Sequence, residues 1–340
     1  MYYICWVRLT IVFFIAFCSL APSDPTPVRK FVLAGLAQGT TYQIIYYNRD
    51  SVVTKKQIDS ILDKIDSSLS LYKSFSLINQ FNQSDSGITV DKHFIQVVSK
   101  SIETYKLSEG IFDITIQPLV QAWGFGAKST SHLPDSAEIK MLKQCLGSEF
   151  LQVFATRVGK TKSCIKVDMN GIAQGYSVDV MASFLEKNNI VNYMVELGGE
   201  IRVRGTKQPA NEKMRIGIES PGNDEFEMGL INKVIEIEKG AVTTSGSYRR
   251  YYESEGKRIT HIIDPRSGYP VSNELISVTV FAEDAITADA YDNVIMVMGL
   301  KKGLDFVNKR SDLAAHFIYK TKNGVIKDTM SKEFYKLIQR

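Results

Sequence analysis

Gaps in this sequence narrow its chemistry before any motif does. Only four cysteines and four histidines occur in 340 residues, with no C-x-x-C pair, which argues against a zinc site. Cys5 and Cys18 fall in the N-terminal segment 1–21, leaving Cys145 and Cys164 for the folded part. Two cysteines permit a disulfide outside the cytoplasm without specifying one. Neither G-x-x-x-x-G-K-[ST] nor G-x-G-x-x-G occurs, so a P-loop and a Rossmann fingerprint are both missing. No G-x-S-x-G elbow supports a serine hydrolase. Net charge is only +4, with Lys and Arg scattered, and nothing in that pattern favours nucleic acid. The chain has no repeat of fixed period and no low-complexity linker.

What is present reads as a globular protein, 44% apolar, 23% charged and 10% aromatic. Such a chain can bury a large core as one unit or as two domains, and a single catalytic unit over 31–340 is the simpler reading. The N-terminus stands apart: "MYYICWVRLTIVFFIAFCSLAPSDP" sets Arg8 before an apolar block, Leu9 to Phe17, and a proline-rich exit. The block is short for a membrane span and reads as an export signal, with an uncleaved anchor as the alternative. Cys18, directly after "FIAF", adds lipoprotein processing as a third fate. The folded part is expected to begin near Arg29 or Phe31.

Along the chain, "FVLAGLAQGTTYQIIYYN" reads as a β-strand interrupted at Gly39. Ile58, Ile61, Leu62, Ile65 and Leu69 then recur at helical spacing. Further helices are expected from about Asp91 to Ser108, over "PDSAEIKMLKQCLG" with Asp135 or Ser136 as cap, over "AQGYSVDVMASFLEKN", and after Thr287. "FLQVFATRV", "SCIKVDM", "YMVELGG", "IRVRG", "MRIGIES", "KVIEIE" and "AVTTSG" are short, turn-bounded strand candidates. Helices inserted among many short strands favour an α+β fold over strict β-α-β alternation.

The stretch "EDAITADAYDNVIMVMG" poses a question, because Asp289, Asp292 and Asn293 interrupt a run that otherwise looks like a core helix. Positions four apart share a helix face, so Asp289 and Asn293 aim oxygens at one point. A helix start explains acids there, with Asp284 or Thr287 as cap; a cation site explains them too. Five punctuated motifs accompany it: "SEGIFDITIQPLVQAWGFG", "DMNGIAQGYSVD", "VELGGEIRVRG", "AVTTSGSYRRYY" and "HIIDPRSGYP". Each is an ordinary turn by itself. "DMNGIAQGYSVD" leads through two glycines into an amphipathic helix whose start suits a phosphate. "TTSGSYRR" offers hydroxyls and the Arg249–Arg250 pair to an anionic oxygen, or is a turn with a basic tail. His261 is a general-base candidate near neutral pH, or a structural histidine.

In this order the blocks resemble the ApbE family of FAD:protein FMN transferases, from "AQGTTYQI" to "ADAYDNVIMVMG". The resemblance implies antiparallel sheets with packed helices, a T-fold-like α+β architecture. It implies a periplasm-facing, often lipidated enzyme that splits FAD, places FMN on a Thr or Ser hydroxyl of an acceptor protein and releases AMP. The acceptors it suggests are membrane redox subunits carrying covalent FMN. It further implies Mg²⁺ held by Asp289, Asn293 and the backbone carbonyl of Gly171, though Thr or Asp is usual in the family where Asn293 stands. FAD contacts carried over residue by residue are Tyr72, Ile111, Phe112, Asp113 and Asp168, with Ser245 and Gly246 at the pyrophosphate. Gln38 stands where Met is common. His261 would activate the acceptor hydroxyl. An FAD pyrophosphatase, in which water replaces the hydroxyl, and a non-catalytic flavin-binding lipoprotein are the rival readings; the acceptor and the fate of bound FAD distinguish them.

Overall fold

The computed structural model describes residues 27–130, 132–221, 228–247, 251–254 and 257–338. Segment 1–21, where the export-signal reading falls, with its Cys18, and the Arg249–Arg250 pair lie outside these residues. Among the described residues no helix is long and apolar enough to cross a membrane.

One eight-stranded sheet, antiparallel at every pairing, organises the chain. Its spatial order is Arg29–Ala37, Thr40–Asn48, Tyr193–Leu197, Glu200–Arg204, Lys239–Gly246, Leu275–Ala282, Ala314–Lys320 and Ile326–Met330. Period-two alternation divides the side chains between its faces. Tyr193, Val195 and Leu197 pack with Ile58 and Leu62 of helix Lys55–Leu69 and with Val178, Met181 and Leu185 of helix Ala173–Lys187. Met194 points the other way, into a cluster with Val203, Val242 and the Met214–Pro221/Met228–Ile237 hairpin.

Three strand readings need correction. The first segment is a hairpin and not one strand: Gln38 and Gly39 both take positive φ, 52° and 77°, as a two-residue I′-type turn requires. "FLQVFATRV" holds most of a hairpin, Leu151–Val153 paired with Arg157–Lys160, and not one strand. "SCIKVDM" joins no ladder. Asn82 brackets it instead, donating to Val167 O at 2.9 Å and accepting from Val167 N at 2.7 Å, while Asp168 N donates to Ile114 O at 2.7 Å. "AVTTSG" is a strand as expected and not the alternative turn, since Thr243 to Gly246 pair inside the sheet with Ser277 to Val280. Cys145 and Cys164 form a disulfide.

Helix Ala285–Met298 is buried at the centre of the helical layer. Its exposed-donor problem is met twice over. Asp284 accepts from Thr287 N at 3.0 Å, and Asp179 of the neighbouring helix accepts from Ala285 N and Ile286 N at 3.0 and 2.8 Å. The two helices touch at Gly175, where an added Cβ would lie 2.4 Å from Ala285 O and 2.7 Å from Asp289 Cβ. Overpacking of this kind costs about 1–3 kcal/mol. Gly175→Ala is therefore expected to lower stability in urea denaturation by that amount, whereas Gly159→Ala, whose Cβ would meet nothing closer than 3.5 Å, changes it far less. Equal losses would mean that the helix contact is not tight.

Candidate active site

A cavity of about 920 Å³ opens between the helical layer and the sheet. Its wall gathers Tyr72, Ile111, Phe112, Asp113, Asp168, Gly171, Ser245, Gly246, His261, Asp289 and Asn293, so every site residue expected from the sequence lines one space. Gln38 lines it as well.

Each wall has a local cause. Asn79 donates to Leu71 O at 3.1 Å and Lys73 O at 2.9 Å, fixing the loop that leaves Tyr72 61% exposed at the rim. Asp113 is buried, and its Oδ1 accepts from Thr115 N, Thr115 Oγ1 and Ser148 Oγ at 2.9, 2.7 and 2.7 Å. Burial pushes the Asp113 carboxyl above the usual carboxylate range, and the Thr115 and Ser148 bonds partly offset that. Asp168 Oδ1 accepts from Asn170 N at 2.8 Å, closing the turn that carries Gly171.

Helix Ala173–Lys187 begins beside this turn with no side-chain cap, and Ala173 and Gln174 at its start line the cavity. Ala173 N already donates to Met169 O and Gly175 N to Asp289 Oδ2, so what this helix start brings to an anion is the positive end of its dipole. On the opposite wall, His261 is half-buried just after strand Lys257–Thr260, its ring inclined at 66° to that of Phe125 with centroids 6.3 Å apart. Behind it the Asp264–Gly268 turn is closed by Gly268 N donating to Asp264 O at 2.7 Å. Trp123 Nε1 pins the turn by donating to Gly268 O at 2.8 Å.

Asp289 is 5% exposed, and its Oδ2 accepts from Gly175 N at 2.8 Å. Asp284 and Asp179 already cap its own helix; Asp289 instead takes a first-turn N–H of helix Ala173–Lys187 while lining the cavity. Among the described residues no three His, Cys, Asp or Glu side chains cluster as metal ligands. The Asp289 carboxylate and the Gly171 carbonyl nevertheless supply hard oxygens of the kind Mg²⁺ selects, with few protein ligands. Asn293 fits less well: its Nδ2, not its Oδ1, approaches Gly171 O, at 3.3 Å.

Sequence reasoning did not assign Asp292, Glu200, Lys73 or Gln174, which also line the cavity, whereas Thr244, one of the hydroxyls of "TTSG", does line it as read. Asp292 stood in view within "AYDNV". Glu200 had a weaker signal, as the first residue after the Gly198–Gly199 turn, whose φ angles are 64° and 104°.

Known proteins carry this same arrangement of sheet and helices. The profile of the ApbE family matches residues 38–317. A Vibrio cholerae protein named FAD:protein FMN transferase is 35% identical over 315 residues, 91% of this chain and 92% of that one. The Escherichia coli K12 protein of the same name is 34% identical over 324 residues, 92% and 90% of the two chains. The solved flavin transferase ApbE of Vibrio cholerae superposes with a TM-score of 0.81 at 33% identity, covering 92% of this chain and 100% of that one. The Pseudomonas stutzeri flavinyl transferase ApbE, in its apo form, gives 0.82 at 30% identity and covers 93% and 98%. With the family profile spanning most of the folded part and relatives above 30% identity along its length, the chain belongs to the ApbE family.

Proposed function

We propose that the chain is an FAD:protein FMN transferase that uses this cavity to move the FMN moiety of FAD onto a Thr or Ser hydroxyl of an acceptor protein. The observation that carries the reading is the convergence of site residues, from Tyr72 to Asn293, on a single cavity of about 920 Å³. Tyr72 at the rim and Ile111 and Phe112 in the wall offer apolar surface to the flavin nucleotide, while Asp113 and Asp168 offer hydrogen-bond acceptors. The positive end of helix Ala173–Lys187 and the Ser245–Gly246 strand end flank the place for the pyrophosphate.

The acceptor oxygen attacks the flavin-side phosphorus. That O–P bond forms as the bridging P–O bond breaks, and AMP leaves with the bridging oxygen. His261 takes the hydroxyl proton. Asp289 and the Gly171 carbonyl would hold Mg²⁺, which when bound offsets the negative charge of the phosphates. The chain works outside the cytoplasm, at the periplasmic face of the membrane, on a redox-complex subunit. The Cys145–Cys164 disulfide supports an oxidising compartment.

Incubation of the purified protein with FAD, Mg²⁺ and a Thr-bearing acceptor is expected to add the mass of FMN to the acceptor and to release AMP. AMP and free FMN without acceptor labelling would turn the reading to a pyrophosphatase. His261→Ala should lower transfer by about 10²–10⁴-fold while FAD binding holds. Collapse of binding with normal turnover of bound FAD would make His261 a nucleotide contact instead. Asp289→Ala should remove Mg²⁺-dependent FAD cleavage. Unchanged Mg²⁺ curves in Asp289→Ala and Asp289→Asn would return Asp289 to a structural role.

A further inference from the structure

Asp292 is 1% exposed and stands on the chain between the two residues whose spacing suggested a cation site. Its Oδ2 accepts from Thr243 Oγ1 at 2.7 Å, and its Oδ1 accepts from Asn293 Nδ2 at 3.0 Å. The same Nδ2 reaches Asp289 O at 3.0 Å and Gly171 O at 3.3 Å. Two of these partners are peptide carbonyls, which only accept, and the third is a carboxylate. Amide nitrogen and oxygen are told apart by such a network. Here the network selects nitrogen, because the rotated amide would set its oxygen against three acceptors.

We propose that Asp292 is a positioning residue that locks the Asn293 amide with its nitrogen toward the Gly171 carbonyl, making Asn293 a hydrogen-bond donor there and not a cation ligand. The inference rests on the reading that Asp289 and Gly171 hold a divalent cation. Thr243 anchors the carboxylate from the sheet, so the lock joins three parts of the fold: the strand Lys239–Gly246, the central helix and the Asp168–Gly171 turn. An amide at 293 suits the site in a way a carboxylate does not. It spans the gap between helix and turn without placing a second buried anion beside Asp292, so the Gly171 carbonyl keeps its position when no ion is bound.

Two measurements on the purified full chain test the lock. In the first, side-chain amide hydrogen exchange is followed by NMR without Mg²⁺. The Asn293 amide should exchange more slowly than that of exposed Asn323, and exchange at the same rate would overturn the lock. In the second, Mg²⁺ affinity is read by calorimetry across a cycle of Asp292→Asn, Asn293→Ala and the double variant. Asn at 292 removes the charged acceptor, the strongest of the three, and can donate as well as accept, so the residue 293 oxygen can turn toward the ion. Asn293→Ala should then cost at least about tenfold more Mg²⁺ affinity in the Asp292→Asn background than alone, within the coupling found between touching residues. Equal costs in the two backgrounds, with Mg²⁺ binding intact, would overturn the lock alone. A wild-type chain that takes up no Mg²⁺ would overturn the cation reading and the lock with it. The exchange measurement needs no variant, so it stands even where Asp292→Asn fails to fold.

Discussion

The contact between helices Ala173–Lys187 and Ala285–Met298 is the constraint on which the site depends. It is close because residue 175 has no side chain, and it is polar at one point because Gly175 N donates to Asp289 Oδ2. That hydrogen bond fixes one carboxylate oxygen and with it the side chain's direction. Asp179, reaching from the first helix to the first peptide groups of the second, sets the axial register of the pair. Moving either helix along its axis would separate Asp289 from the turn that carries Gly171.

Acids on an apolar helix are thus divided by task. Asp284 and Asp179 satisfy the helix start, Asp292 holds neighbours in place, and Asp289 borders the cavity. The sheet contributes the opposite wall through a strand whose small residues, Thr243 to Gly246, allow the helix to lie close over it. Buried carboxylates are costly unless each finds donors, and the hydroxyls of Thr243, Thr115 and Ser148 meet that need at Asp292 and Asp113.

Much of this was legible in the sequence, and the misses have physical causes. Helical periodicity located Lys55–Leu69 and Lys92–Leu107 because each buries one stripe. The hairpin at Gln38–Gly39 was hidden because glutamine is an uncommon occupant of a positive-φ turn position, so only Gly39 signalled it. "SCIKVDM" has strand-like alternation, yet a side chain, Asn82, satisfies its backbone, and side-chain brackets leave no periodic trace. The residues around the cavity were found through the family's blocks, while their grouping required the fold. The orientation of Asn293 lay beyond any pattern, since it is decided by two oxygens of its own helix together with one from the distant Gly171 turn.

The cavity's wall runs from Gln38, at the first turn of the sheet, to Val297, near the end of the central helix. No contiguous fragment of modest length therefore contains a binding site, and a ligand that requires the assembled wall binds only the folded chain. Occupancy and global folding are then one linked equilibrium, in which a ligand at a hundred times its dissociation constant adds about 2.7 kcal/mol to unfolding. A protein built this way carries its substrate as part of its own cohesion.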